Sequence, residues 1–440
     1  MGETKFITAE IGVLPEGWKL IDIKSIADRN QKHSFIDGDW IEAKYIENNG
    51  IRLIQTGNIG IGHFIEKETK KYISEKTFHE LNCKEVKPGD ILICRLAAPI
   101  GRACIAPDLG TKAITAVDVV ILKVNQNEYS REYINYYLNF EKTLQRMESF
   151  ASGSTRQRIS RTNLGNVLIA IPPLAEQRKI AAILSSVDEA IEKTKAIIEQ
   201  TEKVKKGLMQ QLLTKGIGHT KFKKTEIGEI PEEWEVMNIG RVCKEIYRYP
   251  TYYNIDYVEK GVPEIRGEML KPNGEIDTNP ENIRYISEET ASRFPRTKLE
   301  KHDIVMSVRG TIGKVGIVPS ELAGANITAN LIRLSPKEHI IDKIYFKYFL
   351  LSDKFKKSLD DISTATTIKT LKAPDLKNIP IPVPDLIEQR KIVSIMKTID
   401  KKLLNETTTL DKLNSIKKFL MQVLLTGKVR VKVDDEVMSQ

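Results

Sequence analysis

Cysteine is scarce in this chain, four among 440 residues, and Cys83, Cys94, Cys104 and Cys243 stand without CxxC spacing. That argues against a disulfide framework or a cysteine-bound metal, and reduced, mostly buried thiols are expected. The six histidines are scattered, HExxH is absent and no ligand spacing links them, so no metal site is expected. No apolar run reaches the ~20 residues that span a bilayer. The first residues, MGETKFITAEIG, hold no apolar stretch before a small-residue cleavage site, which predicts a cytoplasmic protein without membrane association. Aromatic residues make up 7 % of the chain and include three tryptophans, with no run suited to stacking single strands.

Catalytic signatures are missing too. There is no GxxxxGK[ST]; GTIGKVG at Gly310 lacks the spacing and the hydroxyl. The glycines of GNIGIGHF at Gly57 read as a tight turn, and no GxSxG elbow occurs. Ile171-Pro172-Pro173-Leu174 has the two prolines of an adenine methyltransferase motif but neither flanking group. No catalytic residue is assigned, and an organiser is expected instead of an enzyme. A fused nuclease or methyltransferase, and a purely structural adaptor, are the rival readings.

What the sequence does have is charge and repetition. The net charge of +9 mildly favours a polyanionic partner. LAEQRKIAAILSSVDEAI at Leu174 returns as LIEQRKIVSIMKTIDKKL at Leu386. AEIGVLPEGWKLIDI at Ala9 returns as TEIGEIPEEWEVMNI at Thr225, and GLMQQLLTKG at Gly207 as FLMQVLLTGK at Phe419. The offset is 216 residues at Trp18/Trp234, 213 at Asp90/Asp303 and 212 at Gly101/Gly313. A period this long means duplicated domains and not a solenoid.

Each copy changes texture once. Its front mixes short β-type runs, turns and helices, so an α+β fold with two mixed α/β domains is predicted. Its rear is one helix of about 40 residues, ~60 Å long. The apolar seam runs through Ile180, Leu184, Val187 and Ile191 in the first copy and Ile392, Met396, Ile399 and Leu403 in the second. Thr194, Thr201 and Lys205, and Glu406 and Lys417, interrupt it. Asp385 and Glu388 fit a capping box. Such seams need a partner. Antiparallel pairing of the two helices as a coiled-coil-like spacer is expected, related by a pseudo-twofold; packing of each on its own domain is the alternative.

The chain resembles the specificity subunit of type I restriction–modification enzymes, the HsdS family, over nearly its whole length. The resemblance rests on Pro-Glu-x-Trp (Pro15 to Trp18, Pro231 to Trp234), on Arg-x-x-x-x-Ile-Gly (Arg95 to Gly101, with its copy ending Gly313-Lys314), on Pro-x-Leu-x-Glu-Gln-Arg-Lys-Ile and on Leu-Met-Gln-x-Leu-Leu-Thr. It implies target-recognition domains over 1–165 and 217–376, spacer helices over 166–216 and 377–428, and a tail over 429–440. It further implies a bipartite double-stranded DNA target, one half-site per domain. Two modification (methyltransferase) subunits using S-adenosylmethionine would dock on the chain. Restriction subunits would add ATP- and Mg-dependent translocation and cleavage, and this chain itself would bind no cofactor.

Forked donors read base edges and small polar groups hold phosphates. In the first copy Arg95, Arg102, Ser152, Ser154, Thr155, Arg156, Gln157, Arg158 and Arg161 are the DNA-binding candidates, with a basic linker as the plain alternative. In the second copy Arg293, Arg296, Arg309, Lys314, Thr366, Thr367 and Lys369 are the candidates; Ile368, Lys369 and Thr370 replace the Arg-Gln-Arg set and predict a different half-site. Glu176, Gln177, Arg178 and Lys179, with Glu388, Gln389, Arg390 and Lys391, serve either intrachain bracing or methyltransferase docking. The matched helices are expected to set the gap between half-sites.

Overall fold

The computed structural model describes residues 6–9, 12–153, 156–248, 255–362 and 370–432. The chain forms two compact units, residues 1–195 with 409–440 and residues 196–408, so each long helix contributes to both.

In the first unit, strands Phe6–Ala9 and Gly12–Pro15 form a hairpin. An antiparallel sheet follows in the order Phe35–Asp37, Val119–Leu122, Ile91–Cys94 and Ala103–Ile105. VVIL and ILIC are apolar at every position because both faces of these central strands are buried. Tyr72–Ile73, Ile51–Ile54 and Ala113–Thr115 make a second sheet, and Lys19–Asp22 pairs with Leu168–Ile171. Helices Arg131–Leu138 and Glu141–Ser149 cover the core; Ser130 caps the former by accepting from the Tyr133 backbone N–H.

The second unit repeats this plan. Its main sheet runs Cys243–Arg248, Leu331–Pro336, Ile304–Ser307 and Val315–Ile317. Glu235–Asn238 pairs with Pro380–Val383, and Lys343–Leu351 and Asp353–Ile362 are the covering helices. The smaller sheet gains a strand, with the order Tyr257–Val258, Arg284–Ile286, Val262–Ile265 and Asn326–Ile327. Two mixed α/β domains joined by long helices are therefore present, as expected.

The long helices are Leu174–Leu212 and Leu386–Leu424, 39 residues each. Of the seam, Ile180, Leu184, Ile191, Ile392 and Met396 are buried, and Val187, Ile399 and Leu403 are half-buried. Ile180 and Leu184 enter the first unit's core together with Leu424 and Leu425; Ile392 and Met396 enter the second unit's with Leu212 and Leu213. Each helix start thus packs both on the domain before it and on the end of the other helix, in antiparallel sense. The two expected alternatives hold at once. Asp385 caps the second helix through the Glu388 backbone N–H at 2.8 Å. The expected box does not close, because the Glu388 carboxylate turns instead to His219, Ile217 and Trp234.

Lys205 and Lys417 are not idle gaps in the seam. Lys417 Nζ lies 2.6 Å from Asp188, and Lys205 Nζ lies 2.7 Å from Asp400. The other oxygen of Asp188 accepts from Tyr136 at 2.7 Å, and that of Asp400 accepts from Tyr348 at 2.6 Å. Each tyrosine–aspartate–lysine triad ties one domain to its own helix and to the facing one. Buried seam threonines need no such partner: Thr194 and Thr201 donate to the Ala190 and Ile197 carbonyls one turn back. A double-mutant cycle of Asp188→Ala and Lys417→Ala, followed by urea unfolding, is expected to show coupling of about 0.5–1.5 kcal/mol. Additive losses would reduce the pair to a surface contact.

Candidate nucleic-acid interface

The basic loop after helix Glu141–Ser149 is a small backbone clasp. Ser152 and Arg158 exchange backbone N–H···O bonds at 3.0 Å, and Gly153 between them holds φ +107°, which favours glycine. Arg156, Gln157, Arg158 and Arg161 are exposed on it. Ser154 and Thr155 lie outside the described residues, as do Thr366, Thr367 and Lys369 of the second copy.

Two carboxylates hold this loop. Asp118 lies 2.8 Å from the Arg158 Nε, and Asp37 lies 3.6 Å from Arg161. Asp37 also sits 2.9 Å from the Nε of Arg95, which is 3 % exposed. The remaining Arg95 donors go to the Ile159 and Val117 carbonyls. Arg102 donates to the carbonyls of Thr56, Ile59, Ala97 and Pro99, drawing two loops together. The structure thus gathers all the described first-copy candidates into one neighbourhood. It places Arg95 and Arg102 behind the loop with their donors turned into the protein.

Sequence reading passed over Asp37, Asp118 and Trp40. Trp40 is 75 % exposed, while Trp18 and Trp234 are 4 % and 1 % exposed. The backbone just before it is firmly mounted. The Gly38 and Asp39 N–H groups donate to Val119 and Thr115, and the Asp39 carboxylate holds Lys84 at 2.6 Å. A Cβ on Gly38 would meet the Thr115 carbonyl at 2.3 Å, so only glycine permits this approach.

The second copy's candidates are spread more widely. Arg293 pairs with Glu289, and Arg296 with Glu245 over the Tyr247 ring. Arg309 is half-buried and its backbone bridges to Thr370; Lys314 is exposed beyond the Gly310–Gly313 turn.

The Glu-Gln-Arg-Lys tetrads divide by direction. Gln177 is buried, accepts from the Ser130 backbone N–H at 2.8 Å and donates to the Pro172 and Glu128 carbonyls. Gln389 repeats this with Asp342, Pro384 and Ile340. Glu176 takes Arg430 at 2.8 and 2.9 Å. Arg178, Lys179, Arg390 and Lys391 face outward.

Among the described residues no cluster of His, Cys, Asp or Glu is built to hold a metal. The four cysteines are buried free thiols, and burial pushes Cys104 and Cys243 up to about 12, which keeps them protonated and unreactive. No described helix is long and apolar enough to cross a membrane. Because the Arg102 fork reaches five carbonyls, those four and that of Leu96, Arg102→Ala is expected to cost about 2–3 kcal/mol in urea unfolding. Arg102→Lys should recover little, since an ammonium does not reproduce the planar fork.

Known proteins bear on this arrangement. The type I restriction modification DNA specificity domain matches residues 15–203 and again 231–417. The chain is 33 % identical over 427 residues to the type I restriction enzyme MjaVIII specificity subunit of Methanocaldococcus jannaschii, covering 95 % of this chain and 94 % of that one. It is 29 % identical over 288 residues to the EcoBI specificity subunit of Escherichia coli, covering 62 % and 59 %. The fold matches that of a type I restriction–modification S subunit from M. genitalium with a TM-score of 0.53 at 18 % identity, over 92 % of this chain and 96 % of that one. The chain belongs to the specificity-subunit family of type I restriction–modification systems, as a non-catalytic subunit that recognises the DNA target and scaffolds the assembly.

Proposed function

We propose that the chain reads a bipartite double-stranded DNA sequence, with domain 1–165 on one half-site and domain 217–376 on the other. Segments 166–216 and 377–428 are the spacer helices and 429–440 a tail. Two modification subunits dock on it in the cytoplasm and bring S-adenosylmethionine; restriction subunits bring ATP and magnesium.

The observation that carries this reading is one scaffold presenting two different basic surfaces. In the first domain Arg156, Gln157, Arg158 and Arg161 stand on an exposed clasp shaped from behind by Arg95 and Arg102, which therefore position the loop. Ser152, Ser154 and Thr155 are assigned to phosphates. In the second domain Arg293, Arg296, Arg309, Lys314, Thr366, Thr367 and Lys369 take these parts. Different side chains on one frame suit different half-sites.

Paired docking is supported by two equivalent grooves. One, of 440 Å³, runs between Phe140, Lys142 and Lys418, Met421; the other, of 400 Å³, runs between Phe349, Lys354 and Lys206, Met209. The outward Arg178, Lys179, Arg390 and Lys391 are assigned to the same partners.

Single-molecule methylation mapping tests the whole reading. The methylated motif is expected to have two specified parts and a gap. Excising seven residues from each helix between its two triad members shortens each by ~10 Å, two turns, and keeps the seam in phase. The gap is expected to shrink by ~3 base pairs at ~3.4 Å each; an unchanged gap in an active variant rules out the helices as a ruler. Separately, duplex DNA is expected to protect Trp40 emission from iodide, an effect lost in Trp40→Phe, because Trp18 and Trp234 are already buried. Unchanged quenching would place DNA away from this face.

A further inference from the structure

Strand register makes Arg248 the second domain's counterpart of Asp37. Asp37 stands opposite Val120 on the central strand, and Arg248 stands opposite Ile332. Val120 and Ile332 correspond at the 212-residue offset that relates the copies. The same register places Val308 where Arg95 stands: the Arg95 N–H bonds the Asp118 carbonyl, and the Val308 N–H bonds the Asn330 carbonyl. Arg309 follows at once, and its bridge to Thr370 repeats the bridge of Leu96 to Arg158.

The charge pattern has been replaced, with a reversed sign at one place. In the first domain Asp37 and Asp118 answer Arg95, Arg158 and Arg161. In the second domain these places hold Arg248, Asn330, Val308, Thr370 and Ala373. Both carboxylates are gone while arginine remains on each side of strand Leu331–Pro336. Neighbouring strands lie ~4.8 Å apart, so the two backbones are ~10 Å apart, a gap two arginine side chains span. Among the described residues the Nη2 of Arg248 is buried with no acceptor, and its Nε reaches only the Ala329 carbonyl at 3.5 Å. Burial, and then the charge of Arg309, hold the Arg248 guanidinium below its usual range. Residues 249–254 and 363–369 contain neither Asp nor Glu.

We infer that Arg248 and Arg309 form an anion clamp that grips one backbone phosphodiester of the DNA bound by the second domain. The clamp rests on the DNA-reading function proposed above. Two like charges brought together at a half-buried edge favour a full negative charge between them, and a base edge supplies only partial charge. A phosphate supplies it, with oxygens that suit the guanidinium fork. The first domain carries its own carboxylate at this place and has no such vacancy in its charge balance. The clamp therefore fixes the register of the second domain on the duplex without itself reading sequence.

The test uses the full chain assembled with its modification subunits, a mixed-sequence duplex and a salt series from 50 to 300 mM KCl. Arg248→Ala and Arg309→Ala are each expected to weaken binding about tenfold and to make the slope of log K against log salt shallower by about one. The methylated motif should stay the same. Arg248→Asp installs the residue that the first domain has there. It should pair with Arg309, keep the thermal midpoint and lose the same affinity, which separates loss of the clamp from loss of the fold. An unchanged slope with one motif position relaxed would assign the pair to base reading and overturn the clamp. Undiminished affinity in folded Arg248→Asp would overturn it as well. Absence of duplex binding by the wild-type assembly would remove the DNA reading itself, whatever the variants do.

Discussion

A half-buried aspartate on each long helix accepts from a domain tyrosine and faces a lysine of the other helix, and these two junctions fix how the helices face one another. The seam between the helices is too interrupted to set its own register. Thr194 and Thr201 hold seam positions on one helix, and Glu406 and Lys417 on the other. Apolar packing tolerates sliding; a charged pair with a hydrogen-bonded third member does not, because a slip by one turn strands a partly desolvated charge. The triads therefore specify which turn faces which.

The same logic explains the tetrads at the helix starts. A helix leaves its first N–H groups unpaired and its preceding loop full of exposed carbonyls. Gln177 and Gln389 use both ends of one amide, donating to the carbonyl just before their helix (Pro172, Pro384) and accepting from a domain N–H (Ser130, Asp342), and so fasten the helix to its domain. Glu176 and Glu388 hold different partners, Arg430 in one case and His219 with Trp234 in the other. Identical residues thus meet unlike neighbours, and the outward Arg-Lys pairs are the part of each tetrad left facing solvent.

The domains keep the frame constant and vary the charge. The order of the main sheet, the glycine turn and the covering helices recur, while Asp37 becomes Arg248 and Arg158 becomes Thr370. Since the frame is apolar, such exchanges at its rim cost the core nothing. The charge of each rim can thus change by substitution at a few positions while the sheet remains as it is.

Duplication, two mixed domains, two long helices and the lack of catalytic motifs were all legible in the sequence, because periodicity, turn residues and repetition are local or self-referential signals. Arg156, Arg158 and Arg161 were found the same way, as charge on a small-residue loop. The inward turn of Arg95 and Arg102 was not legible, since an arginine beside a glycine turn reads alike whether it faces carbonyls or water. Nor were the partners of Lys205 and Lys417, which looked like flaws in a stripe. The pairing of Asp37 with Arg95 and its reversal at Arg248 lay further out of reach, because they depend on strand register across a central strand. By itself the sequence determined which segments are helix or strand and that they come twice. Only the tertiary structure decided which charges are answered within the protein, because residues far apart in the chain share a dielectric environment only after the sheet has formed.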